Sequence, residues 1–193
     1  MLAENEVKGS VAMPYVIGAI IAGFVIWVVL LQRRLIVMDE NINSAMSQIG
    51  VQLSSCFDAL IAVLDIMKDY AADEAQIIND GIKQRRRVIT ARSVPDDVLT
   101  QERLISEVRE QISMAAGRYP ELTVNKSYVK YMDAIDSYEK MMRTSSLIYN
   151  DSVTKLNREL RMFPTCLLGS IFGFKPRDYL DSVQEKPDHL CGE

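Results

Sequence analysis

The chain has 193 residues, with 22 Lys and Arg against 26 Asp and Glu, and this net charge of −4 excludes the basic excess that nucleic-acid binding relies on. Cys56, Cys166 and Cys191 are odd in number and far apart, with no CxxC or Cys/His spacing to hold zinc, so free thiols in a reducing compartment are expected. Setting aside about 30 residues for an apolar N-terminal run leaves about 160, enough for one domain with its own core.

From Val11 to Leu31 no residue is charged, and 21 residues at 1.5 Å each span about 31 Å, one bilayer crossing. Pro14 is expected in the first turn of this helix, with Tyr15 and Trp27 towards the two interfaces. A cleavable signal peptide would carry its basic residues before the apolar core and a small-x-small site after it. Here Arg33 and Arg34 follow the core, so the segment is read as a transmembrane anchor with residues 1–10 outside and residues 32 onward in the cytoplasm. Gly18 with Ala22, and Ala19 with Gly23, form small-xxx-small pairs through which two anchors could pack closely.

After the anchor, Leu35, Met38, Ile42, Ala45, Ile49, Cys56, Ala59, Val63, Ile66 and Tyr70 form a helical stripe. Residues 35–70 contain no proline, which predicts a helix of about 54 Å that could continue the anchor, with Gly50 as its one weak point. A second helix is predicted over Glu74–Arg92. Ser93-Val94-Pro95-Asp96 reads as a stop followed by a start, with Asp96 as N-cap of a third helix over Asp97–Tyr119 that Pro120 ends. The last predicted helix starts near Asn125 and carries Tyr128, Tyr131, Ile135, Tyr138, Met142, Ser145, Tyr149, Val153, Leu156, Leu160 and Phe163 at steps of three or four. Its length, roughly 60 Å, matches that of the first cytoplasmic helix, so the two are expected to frame an antiparallel bundle over residues 32–181. The fold class is therefore all-α. The apolar segment Leu167–Phe174 is expected to dock on the bundle end; its alternative is an interfacial lipid contact, which the lack of a basic polar face disfavours. Residues 182–193 read as a flexible tail.

Catalytic chemistry finds little support. The sole histidine, His189, lies in the tail without a partner nearby, and no GxGxxG, P-loop or HExxH is present. Neither a catalytic residue nor a metal or cofactor is expected. Glu102, Glu107 and Glu110, like Asp133, Asp136 and Glu139, have the spacing of a solvated helix face. Lys83, Arg85 to Arg87 and Arg92 could meet anionic headgroups if the second helix ended near the membrane, but are read as solvated. The tyrosines of the last helix are read as core rather than as a pocket lining. Asp58, beside the apolar stripe, is expected to be partly buried and to need a donor.

The residues between Val37 and Glu74, then GRYPELTVNKSYVKYMDAIDSYEKM, IYNDSVTKLNRELRMFP and GSIFGFKP, resemble the bacterial LemA family from the anchor to about Asp181. The most specific matches are Tyr119-Pro120-Glu121-Leu122, Tyr149-Asn150-Asp151, Phe163-Pro164 and Phe172-Gly173-Phe174, with Asp58 at a further family position. The resemblance implies a short external N-terminus, one helix in the cell membrane and a cytoplasmic helical bundle, and no settled biochemical activity. Where the family usually has an Arg pair before Asp58, this chain has Ser55-Cys56, and for the family's Pro-Asn soon after it has Ile61-Ala62. A second Arg pair is replaced by Ser146-Leu147, and Ile148 stands for the Asp that follows. Together these readings lead to a membrane-anchored, non-enzymatic scaffold or adaptor that self-associates as a homo-oligomer or holds a protein partner, with lipid contact and no nucleic acid. The alternative is a sensor or binding module for a peptide, lipid or small ligand.

Overall fold

The computed structural model describes residues 3–180, although for residues 3–15 and Leu168 only the backbone is described. His189, Cys191 and the tail expected over 182–193 lie outside the described residues. Among the described residues there are helices and no strand. The protein is all-α.

Helix α1 runs unbroken over Ala3–Met67, 65 residues, so the apolar run and the first bundle helix are one element. It begins at Ala3, and Pro14 therefore lies inside it rather than in its first turn. Within it lies the one described stretch long and apolar enough to cross a membrane, and none of that stretch is buried against the protein. From Leu35 onward the same helix turns a buried face to its neighbours: Ile42, Met46, Ile49, Leu53, Phe57, Leu60 and Leu64 are almost inaccessible.

Helix α2 (Ala72–Arg85) descends beside α1, α3 (Pro95–Arg118) ascends, the short α4 (Pro120–Thr123) turns the chain, and α5 (Lys126–Arg161) descends along the whole bundle. The directions are fixed by cross-helix pairs. Arg34 of α1 meets Glu159 of α5 at 2.7 Å, while Glu74 and Arg85 of α2 meet Arg118 and Glu107 of α3. The result is an up-down-up-down bundle framed by α1 and α5, the pair with the most extensive packing. Asn125 caps α5, its side chain accepting from the Ser127 N–H at 2.9 Å. Helix α6 (Thr165–Ile171) then sits at the foot of α5.

Two expected boundaries move. The second helix ends at Arg85, not Arg92, because Arg86 is extended (φ −63°, ψ 128°) and the residues after it cross α1. The crossing is at Gly50. A Cβ there would fall on the Ile89 carbonyl oxygen, so this glycine is a close-approach position rather than a weak point in the helix. Buried Gln101 holds the crossing segment, accepting from the Arg87 N–H at 2.8 Å and donating to the Arg85 carbonyl at 3.2 Å. The third helix starts at Pro95 in the first helical position, where a missing N–H costs nothing, so Val94 and not Asp96 is the N-cap. Asp97 accepts from the Val94 N–H at 3.4 Å, the reaching-back half of a capping box.

Candidate functional site

The family-type residues gather mostly at the foot of the bundle, where α5 returns towards the apolar run. Past α6 the chain rises again as an extended strap over residues 175–180, laid along α5. Asn157 grips the strap with two bonds to the backbone of Arg177, donating to its carbonyl and accepting from its N–H, both at 2.9 Å. Tyr149 Oη donates to the Asp178 carbonyl at 3.0 Å, and Asn150 Oδ1 accepts from the Leu180 N–H at 2.9 Å. Burial of Tyr149 pushes its phenol above the ordinary tyrosine range and keeps it a donor. Arg177 adds a link to α1, where Asp39 accepts from it at 2.9 Å. Of the Tyr149-Asn150-Asp151 run, two members therefore hold the strap. The third does not: Asp151 is exposed and pairs with Lys155 one turn on.

Phe172-Gly173-Phe174 ends α6. Gly173 has φ 77°, the Phe174 N–H reaches the Gly169 carbonyl at 3.0 Å, and the Gly173 N–H reaches the Ser170 carbonyl at 3.2 Å. That pair of bonds is a Schellman cap, and only its glycine adopts the left-handed conformation without strain. Phe174 packs against the core, whereas Phe163, before the cis bond to Pro164, is 81% exposed. Gly169 packs against Leu160, and Thr165, one turn before it, is buried on the same face of α6. The expected docking of Leu167–Phe174 on the bundle end thus holds for one face of α6, while Leu167 and Ile171 point away from the protein.

Other expected positions lie apart from this site. Tyr119 closes α3 at the opposite end of the bundle, Pro120 opens α4, and Leu122 is buried there. Gly18 and Gly23 have open space around them on the apolar run. Arg33 is exposed, and Arg34 serves as the partner of buried Glu159. Asp58 is not partly buried: its side chain is 67% exposed, and its donor is Arg86 at 2.9 Å. Arg86 also donates to Ser54 and lies over the Phe57 ring, 5.4 Å from its centroid.

The basic run is paired, not simply solvated, since Arg85 meets Glu107 and Arg87 approaches Asp97 at 3.9 Å. It is also far from the apolar run: Asp58 stands 24 residues above Arg34 on α1, about 36 Å. Nor are Asp136 and Glu139 a solvated face. Arg109 of α3 bridges both, at 2.5 and 2.8 Å, and Glu139 is three-quarters covered. Tyr128, Tyr131 and Tyr138 pack into or against the core, and the cleft between α3 and α5, lined by Leu99, Ile105, Met142, Arg143, Leu147 and Leu180, includes none of them.

Gln101, Arg109 and Asn157 were not singled out by the sequence, since the groups they hold lie 14 to 30 residues away. The only signal was a polar residue interrupting an apolar stripe. Among the described residues no group of three His, Cys, Asp or Glu could hold a metal ion.

Cys56 is buried, and desolvation, reinforced by the nearby Glu139 carboxylate, pushes its thiol up to about 12. It is therefore expected to resist iodoacetamide at pH 8 in the folded chain and to react only on unfolding, while partly exposed Cys166 reacts in the folded state. Peptide mass spectrometry after timed labelling decides this, and equal labelling of the two would contradict it. The linkage has a definite sign. The unfolded thiol ionises near its ordinary 9.0 and the folded one near 12, so the unfolded state holds fewer protons between them. Stability from this residue is full below pH 9 and falls as pH rises through that window.

No curated protein matches the sequence. The family model described as LemA family matches residues 45–189, which takes in the bundle from the middle of α1 and leaves the apolar run outside. The chain belongs to the LemA family.

Proposed function

We propose that the protein is a membrane-anchored, non-enzymatic scaffold or adaptor of the bacterial cell membrane. Its N-terminus faces out, its bundle stands in the cytoplasm, and it acts by self-association or by holding a protein partner. The observation that carries this reading is the unbroken α1: one helix is both the apolar run and the central member of the bundle. A rigid junction fixes the height and rotation of the bundle over the bilayer, which a scaffold needs and a tethered soluble domain lacks. Arg33 and Arg34 support the orientation through the bias of cytoplasmic flanks for positive charge. The open surroundings of Gly18 and Gly23 leave room for a second anchor to pack closely.

Cross-linking of the full chain in native membranes is expected to trap a dimer or larger species, or a co-purifying protein. Gly18→Leu with Gly23→Leu should reduce the self-linked species several-fold by blocking close approach. A monomer alone, with no partner captured, would sink the proposal. The alternative, a binding module, is supported by the cleft between α3 and α5, where Arg143 stands beside apolar Leu99, Met142 and Leu147. Binding that is lost on Leu147→Asp while the cross-linked species is unchanged would favour it.

A further inference from the structure

The foot of the bundle carries an apolar surface that no part of the described chain covers. Met162 is 47% exposed, Phe163 81%, Leu167 60% and Ile171 75%. They belong to the turn after α5 and to the outward face of α6, whose other face is docked through Thr165 and Gly169. The height of this surface follows from the ion pair above it. Glu159 is tied to Arg34, and α5 runs antiparallel to α1, so each step past Glu159 descends along α1 towards Leu31. Two helical residues bring Arg161 about 3 Å lower, level with Gln32. Met162 and Phe163 then stand beside the end of the apolar run. Exposure along α1 agrees: Val28, Leu31 and Gln32 are partly covered and Leu35 is fully buried, on one face, while Phe24, Val25 and Ile26 are open. Protein packing thus begins inside the last turn of the apolar run.

The basic rim missing from α6 itself is supplied by its neighbours. Arg33 of α1, Arg158 and Arg161 of α5, and Lys175 of the strap are exposed around the foot and have no carboxylate partner among the described residues. An apolar surface ringed by basic side chains, level with the end of a membrane-spanning helix, has the chemistry of the boundary between headgroups and acyl chains.

We propose that α6 and the turn before it lie in that boundary, with Phe163, Leu167 and Ile171 inserted among the lipids of the membrane that α1 crosses. The bundle then meets the bilayer at two places, which fixes its tilt as well as its height. This rests on the anchored reading above, and the test separates the two. Trp27 is the only tryptophan, so the wild-type chain reports on the anchor by itself. The full chain is reconstituted in vesicles of phosphatidylcholine and phosphatidylglycerol, with bromines on the acyl chains either near the headgroup or near the bilayer centre. Trp27→Phe is combined with Phe163→Trp or Leu167→Trp as probes, and with Val124→Trp as a control at the far end of the bundle, where that residue is 79% exposed.

Emission from the Phe163→Trp and Leu167→Trp chains is expected to fall to about half with shallow bromines, at the depth of roughly 5–10 Å that interfacial helices reach, and less with deep ones. The Val124→Trp control should be unaffected. If Trp27 in the wild-type chain is quenched while both probes behave like the control, the inference falls and the anchor stands. If Trp27 escapes quenching from either depth, the anchored reading falls with it. A blue-shifted Phe163→Trp that no bromine quenches would mean that a second copy covers the surface, and also overturns the proposal.

Discussion

Gly50→Val is expected to lower the stability of the bundle by about 3 kcal/mol, the upper end of what overpacking a filled interior costs. A Cβ at residue 50 would fall on the carbonyl oxygen of Ile89 and lie 3.0 Å from its carbonyl carbon and 3.3 Å from its Cβ. Backbone cannot rotate away as a side-chain tip can. The crossing segment is also held on both sides, by Arg86 on Asp58 and Ser54 and by Gln101 on the residues before it, and Ile89 itself is buried. Helix propensity argues the opposite sign, since replacing a helical glycine with alanine ordinarily gains up to about 1 kcal/mol. Gly50→Ala therefore tests which effect wins, and a loss of roughly 1–2 kcal/mol is expected. Gly81, inside α2 with nothing near its Cβ position, serves as the reference: Gly81→Ala should gain about 0.5–1 kcal/mol. Thermal unfolding of the full chain in mild detergent, followed by circular dichroism, measures all three. A Gly50→Val midpoint equal to that of the wild type would show that the segment does not press on α1.

Gly50 also marks where the sequence stopped being legible. The long helices α1 and α5 were readable because their apolar residues recur every three or four positions and bury the stripe they draw: Ile42, Ile49 and Cys56 on one, Ile135, Met142 and Tyr149 on the other. The end of α2 was not readable, because nothing local forbids a helix through Arg86–Arg92. What ends it is tertiary: a gap above Gly50, a carboxylate at Asp58 and an amide at Gln101, each supplied by another helix. For the same reason the surroundings of Asp58, Asp136 and Glu139 are not legible in the sequence. Helical spacing gives the face on which a carboxylate lies, but not the arginine that reaches over from the turn after α2 or from α3.

The positions that depart from the family pattern fit the same logic. Cys56 stands where the family's second arginine is expected, and it lies close enough to Glu139 for that carboxylate to raise its thiol. Glu139 is paired nonetheless, by Arg109 from α3. The charge is balanced from a neighbouring helix, and the α1–α5 seam gains a small buried thiol where a long cation would need desolvating. At the foot of the bundle the division of labour runs the other way. The apolar face is on α6 and the cations are on α1, α5 and the strap, so no single segment carries the pattern of an interfacial helix.

Asn157→Ala is expected to release the strap, at a cost of about 2–3 kcal/mol. Two hydrogen bonds are worth roughly 0.5–1.5 kcal/mol each, and the orphaned N–H and C=O of Arg177 add a desolvation penalty. Asn157 is 7% exposed, so water does not easily replace the lost amide. The loss is local. Both bonds of the Asn157 amide end on Arg177, and Tyr149, Asn150 and Asp39 each hold the strap by contacts that weaken once Arg177 is free. Amide exchange over residues 175–180 should therefore accelerate roughly 30- to 160-fold, the ratio for a 2–3 kcal/mol fall in local opening free energy, while amides of α1 and α5 hardly change. Asp151→Ala is the comparison that separates sequence pattern from mechanics. Although it belongs to the family motif, Asp151 makes only an exposed pair with Lys155, and its loss should cost under about 0.5 kcal/mol and leave strap exchange unchanged. Hydrogen–deuterium exchange of the full chain, resolved to the strap peptide, measures both. Equal strap exchange in Asn157→Ala and wild type would mean that Tyr149 and Asn150 hold it without the clamp, and that the buried amide serves only the packing of α5.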